Sequence, residues 1–221
     1  MMETELVRAG LYPTLDKPVV DVERFVVRHL EVKLDQHATL EPAVLGLTEF
    51  FPSAPPEVSI NRDLTEAIDD DDSAPGLVGR WRATVAHEAS HVLMHRFLFD
   101  IASGQESLFR VDAASGKRSL MRCMKKNVLF RGGASDPYEV QANMGMAALL
   151  MPARFFGELV RQMVKDARIE DSALSVGSLA ADNLALQLRE RCGVSKQAAL
   201  IRLETVGILS ARGQGRIITG T

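Results

Sequence analysis

The sequence predicts an α+β protein on three observations. Two short apolar runs lie between residues 43 and 60 and are separated by prolines, helical apolar periodicity flanks them, and the last third reads as helix throughout. The 221 residues, 46% hydrophobic and 25% charged, match the averages of folded globular chains and suffice for one core with a small appendage. That composition argues against a disordered, collagenous or membrane-spanning protein, and the longest apolar stretch, Met144–Met151, is far too short to cross a bilayer. The N-terminal residues lack the basic and apolar regions of a secretion signal, and two cysteines cannot build a disulfide framework. A cytoplasmic protein with reduced thiols is the expectation. A net charge of −3 points to neither nucleic acid nor an anionic membrane as a partner of the whole surface.

Val22, Phe25, Val26, His29 and Leu30 recur with helical spacing between charged residues, predicting an amphipathic helix over about 19–33 that covers one face of a sheet. Strands are predicted at Ala43–Phe50 and Glu57–Ile60, with Pro52, Pro55 and Pro56 forming the turn between them. Asp69–Asp72, Ser73 and Pro75 form an acidic lead-in suited to a helix N-terminus, or simply a solvated capping loop. From Gly76 to about Phe99 a long pattern, apolar on most sides, predicts a central buried helix. Helical signals fade between Phe109 and Gly133. Asp136 and Pro137 restart a helix that stops at Pro152, and a shorter one follows over Ala153–Lys165. Ser172 to about Arg191 and Ser195 to Gly207 are predicted as two further helices, with Gly193 ending the first and Ser195 capping the second. The expected organisation is a first unit over 1–168, a helical lobe over 169–209 and a frayed tail over 210–221.

Residues 87–91 read His-Glu-Ala-Ser-His. Four-residue spacing on a helix puts His87 and His91 on one face, about 6 Å apart along the axis, so both imidazoles reach one ion. Zinc suits such a pair because it accepts neutral imidazole nitrogens in a tetrahedral site with one position left for water. Glu88, about 100° round the helix from His87, is placed as general base rather than ligand. His95 continues the ladder but lies about 12 Å from His87 along the axis, which leaves it a packing or hydrogen-bonding role.

A catalytic zinc site needs a third protein ligand from another element. Glu139 is the candidate, with Asn143 one turn later on the same face as an orienting partner, and small Ala142, Gly145, Ala147 and Ala148 allow close helix packing. Asp136 and Glu139 also have the spacing of a capping box, in which the carboxylate only bonds backbone amides. Spacing alone leaves both readings open.

His87-Glu88-Ala89-Ser90-His91-Val92-Leu93-Met94-His95, Glu139-Val140-Gln141-Ala142-Asn143 and Ala147-Ala148-Leu149-Leu150-Met151-Pro152 together resemble the ImmA/IrrE family of zinc metallopeptidases. Further likeness lies in Arg82-Ala83-Thr84-Val85-Ala86 and from Gly193 to Leu209, so the resemblance spans about residues 20–209. It implies His87, His91 and Glu139 as Zn²⁺ ligands, Glu88 as catalytic base, and a minimal zincin-like core with a helical, helix-turn-helix-like C-terminal lobe. It also implies site-specific cleavage of a partner helix-turn-helix transcriptional repressor in a response to DNA damage or to phage and mobile-element stress. Met144-Gly145-Met146 stands where the family usually has an aromatic after the asparagine, and the acidic lead-in is longer. Neither departure touches a ligand.

Two regulatory features arise from the residues themselves. Cys123 lies among Arg122, Lys125 and Lys126, which favour thiolate, and a thiolate is a strong zinc ligand that would fill the fourth position and hold the enzyme inactive. A buried, idle cysteine is the alternative. Between Phe109 and Gly133, seven basic residues, among them Lys117, Arg118, Arg122, Lys125 and Lys126, face one acidic residue, Asp112. Single-stranded DNA is the expected activating ligand of such a stretch, against a solvated loop or pairing with Asp69–Asp72. The competing function is a non-catalytic regulator that uses its metal for folding and its C-terminal lobe for binding. The nearly balanced charge of Ser195–Val206 is a poor fit to phosphates.

Overall fold

A mixed sheet with strand order β1-β3-β2-β4 carries one long helix across three of its strands. The computed structural model describes residues 1–51, 54–69, 75–101, 119–124, 136–169 and 174–209, with the backbone alone for 69, 75, 98–101 and 119–124. The strands are β1 (Lys33–Ala38), β2 (Val44–Phe51), β3 (Ala54–Asn61) and β4 (Ser119–Met124). β1 is parallel to β3, while β2 runs antiparallel to both β3 and β4.

The two central strands alternate as a half-buried sheet requires. Gly46, Thr48 and Phe50 of β2 and Val58 and Ile60 of β3 are buried, while Glu49, Glu57 and Ser59 are only partly so. Pro55 and Pro56, expected in a turn, belong to β3. They fall where the ladder steps from the Phe51–Ala54 pair to the Glu49–Glu57 pair, an irregularity that tolerates their missing N–H groups. The strand predicted at Ala43–Phe50 is displaced by one residue from β2, and the one predicted at Glu57–Ile60 lacks the first three residues and the last of β3. β1 starts at the last residue of the expected first helix and runs on beyond it, and β4 lies in the basic stretch read as a loss of helix.

That first helix is shorter than predicted. It comprises α2 (Val22–Arg24), capped by Asp21, and a π-helical turn over Phe25–His29. It closes with Leu30 N–H donating to Phe25 O at 3.0 Å, and Glu31 then takes φ +53° and turns the chain into β1. A short N-terminal helix, α1 (Met2–Arg8), precedes it, and α3 (Arg62–Asp69) follows the sheet.

The long helix α4 (Pro75–Ile101) is buried at every residue from Trp81 to Val92, which is why its sequence is apolar on most sides. It packs across β2, β3 and β4 and, most extensively, against α5 (Pro137–Leu150). α6 (Ala153–Asp166) follows after Pro152, and then α7 (Leu179–Cys192) and α8 (Lys196–Thr205). Ser178 and Ser195 cap α7 and α8 with their side chains, and Gly193 ends α7 at φ +62°, a left-handed conformation that favours glycine. The predicted start of α7 at Ser172 is corrected, because Leu174–Ser178 is non-helical and turns at Gly177 with φ +82°. The tail 210–221 lies outside the described residues.

One apolar cluster joins the elements, running from Leu6 and Phe25 through Ile60, Val85 and Phe156 to Leu188 and Leu203. Arg82, deep in α4, donates from Nε to Gly193 O at 2.9 Å and from Nη2 to Val20 O at 2.7 Å, clipping the segment before α2 and the end of α7 onto the central helix. No described helix is long and apolar enough to cross a membrane.

Candidate metal centre

The i, i+4 spacing on α4 turns the imidazoles of His87 and His91 to one side, with their Nε2 atoms 3.0 Å apart. Helix α5 supplies the third group. Its Glu139 carboxylate spans both rings, Oε2 lying 3.4 Å from His87 Nε2 and Oε1 lying 3.2 Å from His91 Nε2. The three side chains are buried. Glycine makes the approach possible, since a Cβ at Gly145 would lie 2.7 Å from both Ser90 Oγ and Met94 Cε of α4.

The capping-box reading of Glu139 fails. Asp136 caps α5 by accepting from Tyr138 N–H at 2.9 Å, while Glu139 faces the imidazoles. Burial by itself raises the Glu139 carboxyl, but the adjoining His87 and His91 rings outweigh it and hold the group below the usual carboxylate range. Burial pushes the His91 imidazole down, with the adjoining Glu139 carboxylate opposing. A charged carboxylate and neutral imidazoles are the forms that bind metal.

These residues fit a zinc ion. Ligands about 2.0–2.1 Å from a tetrahedral centre lie about 3.3 Å from one another, and the three separations here are 3.0, 3.2 and 3.4 Å. His87 Nδ1 lies 3.1 Å from Asn143 Oδ1, an acceptor only, so the proton sits on Nδ1 and the Nε2 lone pair faces the other two ligands. Two nitrogens and a carboxylate oxygen form a donor set that suits zinc.

Glu88 stands next to this group with no solvent exposure. Its Oε2 accepts the Thr48 hydroxyl at 2.5 Å, and its Oε1 has no hydrogen-bond partner among the described residues. Burial pushes its carboxyl up to about 7, against the opposing pull of His87 and of the Thr48 hydrogen bond. Such a carboxylate is poised to take and release protons near neutrality.

The sequence-predicted residues His87, Glu88, His91, Glu139 and Asn143 are therefore brought together. Arg122 and Cys123 belong to β4, whose side chains are outside the description, and Lys117, Arg118, Lys125 and Lys126 lie outside the described residues. Sequence reading missed Thr48, Gly46 and Gln141. Of these only Gly46 left a signal, a glycine inside the apolar run Val44-Leu45-Gly46-Leu47, where close approach of another element is the usual cause.

An α+β core with a buried His-His-Glu group and an adjacent glutamate on the metal helix defines a metallopeptidase-type protein of minimal zincin-like architecture. Residues 129–204, about a third of the chain, match the family model for the IrrE N-terminal-like domain of metallopeptidases. Over those residues the chain is similar to the IrrE N-terminal-like domain, in keeping with its resemblance to the ImmA/IrrE family. The matched region contains Glu139 and begins after the helix that bears His87 and His91. A comparison with curated proteins returned no match.

Proposed function

We propose that this protein is a zinc-dependent endopeptidase that cleaves a partner helix-turn-helix transcriptional repressor at a specific bond, in a DNA-damage or phage-stress response. The observation that carries the catalytic part is the Glu139 carboxylate bridging His87 and His91 beside the free oxygen of Glu88. Bound zinc would be held by His87 Nε2, His91 Nε2 and Glu139, and would supply Lewis-acid polarisation of a peptide carbonyl and a more acidic water. Asn143 keeps His87 in the ligand tautomer. Thr48 fixes one oxygen of Glu88, leaving Oε1 to accept a proton from water as its oxygen adds to the acyl carbon. Glu88 then passes that proton to the leaving nitrogen as the C–N bond breaks. An extended substrate is taken to pair along β4, an edge of the described sheet in contact with α4.

The repressor substrate and the stress setting come from the family resemblance. Cys123 as an inhibitory fourth ligand is supported by register: Cys123 pairs with Gly46, and a Cβ at Gly46 would lie 2.6 Å from Glu88 Oε1. Single-stranded DNA, bound by the basic stretch that includes Lys117 and Arg118, remains the proposed activator.

The test is Glu88→Gln, co-expressed with a repressor encoded beside this protein. Retained zinc with an uncut repressor, against a cut repressor for the parent, is the expected outcome. Unchanged biological output in the variant would favour the non-catalytic regulator.

A further inference from the structure

His95 is a costly residue for its position. It is 1% exposed, one turn beyond the second presumed ligand, where a leucine would pack without any polar demand. Both of its ring nitrogens are nevertheless engaged. Its Nδ1 lies 3.0 Å from His91 Nδ1, and its Nε2 lies 3.1 Å from Gln141 Oε1 on α5. The Tyr138 ring packs against it in a T-shaped pair, 5.0 Å between centroids.

Only one arrangement of protons satisfies all of these contacts together with a metal-binding His91. Gln141 Oε1 is an acceptor, so His95 carries its proton on Nε2 and its Nδ1 is a lone pair. That lone pair accepts the proton on His91 Nδ1, and His91 Nε2 is left as a lone pair aimed at Glu139 and His87. Helix α5 thus contributes three groups, at residues 139, 141 and 143: a ligand, and one amide oxygen that sets the tautomer of each histidine, directly for His87 and through His95 for His91.

We infer that His95 and Gln141 form a positioning relay, fixing His91 in the Nδ1–H tautomer and thereby raising the affinity of the site for zinc. The inference rests on the metal centre proposed above and adds to it two residues that touch neither the metal position nor the substrate. His91 and His95 take opposite tautomers under this arrangement, whereas a merely structural role for His95 places no demand on either ring.

Two measurements test it. Long-range nitrogen–proton NMR of the metal-free wild-type protein should show His91 protonated at Nδ1 and His95 at Nε2; the reverse assignment overturns the relay. Zinc affinity, measured by competition with a chromophoric chelator, should fall about 10-fold or more in His95→Leu. His95→Asn, whose side-chain oxygen takes the place of Nδ1, should recover most of the loss, and His95→Gln should recover little. Gln141 is on the surface, so Gln141→Leu avoids any failure to fold and should weaken zinc binding by a smaller factor. Wild-type protein that binds zinc as tightly as a folded His95→Leu overturns the relay and leaves the metallopeptidase reading intact. Wild-type protein that binds no zinc overturns both.

Discussion

Gly46 and Glu88 fit together with no room for a side chain between them: a Cβ on Gly46 would lie 2.6 Å from Glu88 Oε1 and 2.8 Å from Thr84 Cγ2. The sheet and the metal helix meet at this point, and the presumed general base occupies the space a larger residue would fill. Gly46→Ala should displace the carboxylate, lower stability by about 1–3 kcal/mol and cut peptidase activity at least 10-fold. Zinc content should be unchanged. Denaturant unfolding, metal analysis and a cleavage assay check the three parts separately.

Thr48→Val keeps the volume of the side chain and removes the hydroxyl that donates to Glu88 Oε2. With Oε1 already without a partner among the described residues, the variant leaves the whole buried carboxylate unpaired, at a cost of about 1–3 kcal/mol. Activity should drop more than in a Thr48→Ser protein, which retains the donor. Equal activities would show that the hydroxyl does not position Glu88.

Arg82 holds two carbonyls distant in sequence, Val20 O before α2 and Gly193 O at the end of α7, by charge-assisted bonds. Arg82→Ala strands the buried Val20 acceptor and the part-buried Gly193 acceptor and should destabilise by about 3 kcal/mol, whereas Arg82→Lys can serve only one of them well. Equilibrium unfolding gives the comparison, and an alanine variant as stable as the parent would contradict the clip.

Cys192 is buried, and burial pushes its thiol up to about 12, with Arg82 and Arg191 opposing. In a Cys123→Ala background this thiol should resist a chromogenic disulfide reagent until denaturant is added. The folded pKa lies above the unfolded value of about 8.5, so the thiol's contribution to stability is complete below that value and declines as pH rises toward about 12. Rapid native labelling would contradict it.

What was legible in the sequence follows a physical division. α4, α5 and α8 announce themselves because periodicity, Pro137 at the start of α5, Gly193 closing α7 and Ser195 capping α8 are local signals. The His87–His91 spacing is local as well, so the two imidazoles were readable, while Glu139 needed the family resemblance to separate it from a helix cap. β1 escaped because Lys33, Asp35 and His37 are exposed on an edge strand with little apolar pattern to read. The first helix was drawn too long because nothing local marks Glu31 for a left-handed turn. Thr48 and Gln141 acquire their roles only through contacts across 40 and 46 residues, which no local pattern encodes.

The central claim is that His87, His91 and Glu139 form one metal centre. A crystal structure of protein purified without added metal and soaked in zinc, with anomalous data at the zinc edge, tests it directly. One peak should appear about 2.0–2.1 Å from His87 Nε2, His91 Nε2 and a Glu139 oxygen. A peak ligated by other residues, or His87 and His91 still in direct hydrogen bonding with no peak between them, would contradict the account.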